Sequence, residues 1–209
     1  MTVDEPTDVV SRGYDALAPS FGEWMSKVEG DPWERFVDEL GNRVPEGARI
    51  LDLGCGNGEK TRSLSRRFDV LGVDVSRRQL ELARAVAPDT TFLHSDFTEL
   101  DFPDGAFDAV TAFYSVMHVP REQHALVFAR ILRWLRPGGL FLASLSHVGG
   151  EDWTGEWLGV EMFFSGFDAE TNRELLRDAG FELLVDELVF MREPQGEVGF
   201  LWVLARKPE

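Results

Sequence analysis

Cysteine is nearly absent from this 209-residue chain, with Cys55 the single one. A disulfide needs two thiols, so no intramolecular disulfide framework holds the fold, and a multi-cysteine metal centre is excluded with it. Lysine is almost as scarce, since only Lys27, Lys60 and Lys207 are present and every other basic side chain is arginine. Positive charge as a whole is short: 21 basic residues face 37 acidic ones, for a formal charge of −16 and an isoelectric point near 4.6. Nucleic-acid binding depends on Lys and Arg neutralising phosphates, so DNA and RNA are not expected as partners. No run approaches 18 consecutive apolar residues, and the opening stretch MTVDEPTDVVSRGYD is acidic where a secretion signal would be hydrophobic. The expectation is a soluble, cytoplasmic protein without membrane association. Repeats and low-complexity tracts are also missing.

What is present is enough apolar material, 44% of residues, to bury the core of one large domain spanning 1–209. From residue 49 onward, apolar runs of strand length alternate with longer amphipathic stretches, which is the βαβ signature of a parallel sheet covered on both faces. Strands are expected at 49–53, 69–75, 90–95, 107–113 and 140–146. Helices fill the gaps at 58–67, 76–86, 121–136 and 168–179, with Ser76 and Asp168 as N-caps and Gly180 just beyond the last. The tail changes character: two long strand-like runs flank the turn residues Glu193, Pro194, Gln195 and Gly196, so it should form a hairpin. That makes an α/β protein with seven strands, one of them antiparallel. About 48 residues precede the first strand and read as two helices, near 3–27 and 32–44.

The segment ILDLGCGNGEKT, residues 50–61, runs an apolar strand into Asp52 and then places glycines at 54, 56 and 58. Glycine permits a sharp turn and leaves no Cβ between backbone and ligand, so this is a ligand-facing turn. A dinucleotide fingerprint, G-x-G-x-x-G, would need its third glycine at the position of Glu59. In open α/β sheets ligands bind at the carboxyl ends of the strands, where Asp74 closes the second strand and can accept from two neighbouring ribose hydroxyls.

With its acid two positions before the first glycine, the turn resembles motif I of the class I S-adenosylmethionine-dependent methyltransferases of small-molecule type. GVDVS, HSDF, FDAVTAFYSVMHVP and LRPGGLFLASL resemble the family's later motifs, in order from residue 49 to 146, and the tail ends in LARKP. The resemblance implies a Rossmann-like three-layer sandwich with strand order 3-2-1-4-5-7-6 and S-adenosyl-L-methionine as cofactor. It also implies methyl transfer to an O, N, S or C nucleophile of a small molecule. Residues 1–48 would be a helical lid, 49–146 the cofactor core, 147–167 a substrate lid and 168–209 the last helix and hairpin, in a monomer or homodimer. Cofactor contacts are implied for Asp52, Gly54, Cys55, Gly56, Asp74, Val75, Asp96, Phe97, Phe113 and Ser115. Asp96 would accept from the adenine amino group and Phe97 would offer its backbone N–H. Cys55 reads as a small residue packed beside the ligand, not as a nucleophile. Tyr14, in YDALAPSF, resembles a segment that folds over the cofactor's methionine end, and reads equally as a core aromatic.

An activated methyl needs little chemistry from the protein beyond alignment and exclusion of water, with a base only for a protonated nucleophile and no metal. His118, just past the fourth strand, is the leading base and a substrate-facing residue, and His147, after the fifth strand, is second; each reads equally as a structural loop histidine. The long stretch from 147 to 167 carries Trp153, Trp157, Met162, Phe163 and Phe164. With Phe21 and Trp24 of the first helix these should cover the substrate, and Glu156 and Glu161 would face a polar or cationic group. The same aromatics could be a satellite core. A cofactor-binding sensor or scaffold without turnover, or an enzyme that uses the cofactor for other chemistry, fits the same motifs.

Overall fold

The computed structural model describes residues 5–209. The chain runs α1 (Pro6–Met25), α2 (Trp33–Gly41), β1 (Arg49–Leu53), α3 (Glu59–Ser65), β2 (Asp69–Asp74), α4 (Arg77–Val86), β3 (Thr91–His94) and β4 (Phe107–Phe113). After a 3-10 turn (Val116–His118) follow α5 (Arg121–Trp134), β5 (Leu135–Ser146), β6 (Trp153–Trp157), β7 (Val160–Phe164), α6 (Ala169–Ala179), β8 (Glu182–Glu193) and β9 (Gly196–Arg206). Positions 3 and 4 of the expected first helix lie outside the described residues. The caps form as their residue types dictate: Ser76 Oγ accepts from Gln79 N at 3.1 Å, Asp168 Oδ1 accepts from Thr171 N at 3.0 Å, and Gly180 takes φ +105°.

The main sheet has the order β3-β2-β1-β4-β5-β9-β8, and β9 is antiparallel to both of its neighbours. Numbered among the sheet's own strands, this is 3-2-1-4-5-7-6. Alternating residues feed two cores, as a pleat of period two requires. On β9, Leu201, Val203 and Ala205 join Phe128, Ile131 and Leu176 of α5 and α6, whereas Trp202 and Leu204 join Phe36 and Leu40 of α2.

Two departures from the sequence reading have local causes. Residues 147–167, expected as a loop, contain the separate antiparallel hairpin β6–β7. Its turn places Leu158 at φ +51° and Gly159 at φ +81°, the left-handed pair a two-residue hairpin requires, with leucine where Asn or Asp would have announced it. β5 begins at Leu135 instead of 140 and runs through Pro137-Gly138-Gly139, with a register shift against β4 between Phe107 and Ala109.

Trp202 is fully buried and stacks on Phe36 with ring centroids 4.7 Å apart, tying α2 to the sheet. Trp202→Ala should therefore cost roughly 3–5 kcal/mol. Urea unfolding measures this, and a loss under about 1 kcal/mol would show that the site collapses or that α2 does not rest on it.

Candidate functional site

The glycine turn is shaped by what surrounds each residue. A Cβ on Gly54, at φ +71°, would stand 2.3 Å from Ser115 Cβ, and one on Gly58, at φ +81°, would stand 2.8 Å from Ala83 Cα. These two glycines let the turn pack against protein. Gly56, at φ +53°, would meet nothing within 4 Å, and it lines a cavity of about 990 Å³. Gly54 lines the same cavity, but Ser115 fills the space beside it, so within the turn room is left at Gly56. Asp52, expected to contact the cofactor, instead lies beneath the turn with 2% exposure and does not line the cavity. Its carboxylate accepts from Thr61 Oγ1 at 2.6 Å and Thr111 Oγ1 at 2.8 Å. Burial raises its pKa against the pull of those bonds. Asp52 is a buried strut between β1, α3 and β4, because both of its neighbours present a hydroxyl inward.

Asp74 does face the cavity. Its carboxylate accepts from Gly56 N and Ser76 N, each at 2.8 Å, and burial pushes its pKa up to about 6 despite those bonds. Each carboxylate oxygen retains acceptor capacity. Asp96, Val75 and Phe97 line the same end, and Cys55, Phe113 and Ser115 the wall behind the turn. Burial also raises the Cys55 thiol pKa, which keeps it protonated and inert. Gln79 of α4, not anticipated from the sequence, lines this end too; it is 1% exposed and neither amide atom has a partner. An orphaned buried amide is costly without a ligand.

Helix α1 closes the cavity with one polar face. Thr7, Ser11, Tyr14 and Asp15 recur at helical spacing, so they point the same way. Thr7 Oγ1 donates to Asp96 Oδ2 at 2.6 Å and Ser11 Oγ to Val75 O at 3.0 Å, while Asp15 Oδ1 accepts from Ser76 Oγ at 2.6 Å. The helix is thereby bonded to the loops after β2 and β3. Tyr14 reaches the loop after β4, where its hydroxyl meets His118 Nε2 at 2.9 Å. The other ring nitrogen, Nδ1, lies 2.8 Å from Phe163 O. A carbonyl only accepts, so Nδ1 carries the proton, Nε2 accepts, and Tyr14 donates. Desolvation lowers the His118 pKa to about 4, and burial, with Asp74 and Glu193 nearby, raises that of Tyr14. Both side chains are uncharged at neutral pH.

The far end of the cavity is aromatic. Phe21 stacks on Trp24 at 5.6 Å, and Trp157 packs edge-on against both, at 6.2 and 5.6 Å. Opposite stands a cluster the sequence did not signal: Asp31 accepts from Tyr114 Oη at 2.7 Å and pairs with Lys60 Nζ at 2.9 Å. The Lys60 ammonium lies over the rings of Trp33 and Tyr114, at 5.1 and 5.3 Å. Tyr114 holds φ +57°, a left-handed conformation unusual for a tyrosine, at the mouth of β4.

Six expected residues lie elsewhere. His147 packs on Phe190 at 5.5 Å and lies outside the cavity, because the end of β5 carries its side chain over Gly199 toward β8. Trp153 is 49% exposed on the outer end of β6. Met162 and Phe163 are buried against α1, where a Cβ on Gly13 would come within 2.7 Å of Met162 Cε. They are satellite core, although Phe163 O orients His118. Glu156 and Glu161 are exposed on the hairpin's outer surface, so the cavity's far-end carboxylates are Asp31, Glu34 and Glu193 instead.

The raised pKa of Asp74 has a stability consequence. A carboxyl whose folded pKa exceeds its unfolded one adds stability below the unfolded value, near 4, and loses it as pH rises through about 6. The stability of the ligand-free protein relative to Asp74→Asn should rise by about 2 kcal/mol as pH falls from 8 to 4, since a tenfold gain in proton affinity on folding is worth about 1.4 kcal/mol. Denaturant titrations of both proteins across that range measure it, and a constant difference would refute the desolvated carboxyl.

A family profile described as a methyltransferase domain matches residues 50–139. The 27-O-demethylrifamycin SV methyltransferase of Amycolatopsis mediterranei is 34% identical over 161 residues, covering 66% of this chain and 58% of that protein. The demethylmenaquinone methyltransferase of Renibacterium salmoninarum is 32% identical over 151 residues, covering 70% of this chain and 62% of its own length. The chain therefore spans about three fifths of these relatives. Among solved structures, the Burkholderia thailandensis 1,6-didemethyltoxoflavin-N1-methyltransferase, crystallised with 1,6-didemethyltoxoflavin and S-adenosylhomocysteine, superposes with a TM-score of 0.66. It is 21% identical, the alignment covering 100% of this chain and 93% of that one, a likeness of fold. No described helix is long and apolar enough to cross a membrane. The profile match, the relatives and the sheet order together make this chain a member of the class I S-adenosylmethionine-dependent methyltransferases.

Proposed function

We propose that the chain transfers the methyl group of S-adenosylmethionine to a small-molecule acceptor. The observation that carries this reading is a single cavity with two unlike ends, polar acceptors by the glycine turn and aromatic rings beyond Tyr14. The residues at the polar end suit the cofactor: space is left at Gly56, Asp74 and Asp96 keep acceptor capacity for hydroxyl and amino donors, and Gln79 has an unpaired amide. When bound, the cofactor supplies a methyl group already activated on a sulfonium. The protein's work is then to hold, orient and keep dry. Asp74 would accept from the ribose hydroxyls, Asp96 from the adenine amino group, and Gln79 would pair with a polar atom of the adenosine. Cys55, Val75, Phe97, Phe113 and Ser115 would line the pocket around it.

His118 enters this reading as a positioning residue. Its Nε2 lone pair is engaged by Tyr14, and an imidazole that titrates near 4 is a weak proton acceptor at neutral pH. Tyr14 lines the cavity and its donating oxygen still has acceptor capacity, while its bond to His118 pins α1 over the reacting region. Residues 1–48 and 147–167 act in this reading as two lids on the 49–146 core.

Calorimetry with S-adenosylmethionine and S-adenosylhomocysteine tests the function first: neither binding would overturn it. Gln79→Leu should weaken S-adenosylhomocysteine binding by roughly 5- to 30-fold, the usual consequence of a lost buried polar pairing, and unchanged affinity would leave Gln79 outside the site. With an acceptor found by screening amines, phenols, acids and thiols, His118→Asn should lower kcat on the order of 10- to 100-fold through misplacement of Tyr14. The ratio of wild-type to variant kcat/KM should stay constant from pH 6 to 9. A ratio that falls as pH drops through 6 to 7 would instead make His118 the base.

A further inference from the structure

Glu193 closes β8 at the aromatic end of the cavity, half-buried, and its carboxylate takes no hydrogen bond and no ion pair among the described residues. Its position is fixed by the hairpin turn that follows. Trp24 is tied to that same turn, donating from Nε1 to Gln195 Oε1 at 3.1 Å, so the carboxylate and the stacked Phe21–Trp24 pair belong to one wall. The carboxylate's field raises the pKa of both the Tyr14 and the Tyr114 hydroxyls, which places it within electrostatic reach of each. A half-buried carboxylate without a partner costs solvation that a bound cation would recover.

The cavity's charge points the same way. Its described lining holds six carboxylate side chains, Asp31, Glu34, Glu59, Asp74, Asp96 and Glu193, against one cation, Lys60. Lys60 is already committed to Asp31 and to the faces of Trp33 and Tyr114. An acceptor bearing a phosphate or carboxylate would find no unengaged positive group there and would sit against Glu193. A cation would find an unpaired carboxylate and aromatic faces, a pairing that both attracts the right ligand and rejects the wrong charge.

We propose that the acceptor is an aromatic amine-bearing molecule bound as its cation, with the charged group at Glu193 and the ring against Phe21 and Trp24. This assignment rests on the methyl-transfer reading above and names the substrate class for it. Glu193 is then the residue that selects by charge, and the Asp31–Lys60–Tyr114 cluster is a neutralised structural wall beside it.

The test uses three indoles of similar shape and different charge, tryptamine, tryptophol and indole-3-acetate, titrated calorimetrically into the protein saturated with S-adenosylhomocysteine. Tryptamine should bind at least about tenfold tighter than indole-3-acetate, a difference of about 1.4 kcal/mol, with tryptophol between them. Glu193→Gln should bring tryptamine to within about twofold of tryptophol and leave S-adenosylhomocysteine affinity unchanged, since a neutral amide keeps the shape and removes the charge. Equal or tighter binding of indole-3-acetate, no tryptamine binding at millimolar concentration, or a preference that survives Glu193→Gln would each overturn the proposal. The wild-type series decides it even if the variant fails to fold. Absence of S-adenosylhomocysteine binding would overturn both readings, whereas its binding without an amine preference overturns the acceptor class alone.

Discussion

The structure depends on laying one amphipathic helix across the carboxyl ends of three parallel strands. Parallel strands end in a row of loops with unsatisfied backbone groups and open space between them, and α1 meets that row with hydroxyls and a carboxylate on one face. Its opposite face is apolar: Val9, Val10 and Leu17 bury against the β6–β7 hairpin, and Gly13 lets the two backbones approach. Hydrogen bonds over the crevice thus orient the helix, and apolar contact with the hairpin holds it down. Without that roof the cavity would be an open groove, and the low-dielectric surroundings that shift Tyr14, Asp74 and His118 would be lost.

Burial sorts the carboxylates by what they are bonded to. Asp52 and Asp74 end adjacent parallel strands and are both desolvated, yet Asp52 is engaged by two side-chain hydroxyls and shut away, while Asp74 takes two backbone N–H groups and keeps a cavity face. The first is sealed into the architecture, and the second keeps acceptor capacity toward the cavity. Local irregularities gather around the same cavity: the left-handed Tyr114, the orphaned Gln79 amide and the unpartnered Glu193. The last two are unpaired polar groups that a ligand in the cavity could satisfy.

Much of the fold was legible in the chain, because parallel strands buried on both faces read as apolar runs, the helices as longer amphipathic stretches, and two of them carry an N-cap residue as well. β1 and β4 fall on the residues expected, and the Ser76 and Asp168 caps form. The β6–β7 hairpin was hidden because its turn uses Leu158 at positive φ, for which composition has no marker. Within the site, motif spacing pointed to residues that do face the cavity, such as Gly56, Asp74 and Asp96. It could not distinguish them from Asp52, whose solvation is decided by Thr61 and Thr111, residues 9 and 59 positions away.

By itself, then, the sequence determined the class of the protein and the polar half of the cavity, since both follow from short segments whose chemistry is complete within a strand and its loop. The aromatic half was decided only by tertiary structure. Tyr14 meets His118 across 104 positions, Tyr114 meets Asp31 across 83, and Trp24 meets Gln195 across 171. No local pattern encodes such pairings, because whether a side chain is core, wall or ligand-facing depends on which distant element is packed against it.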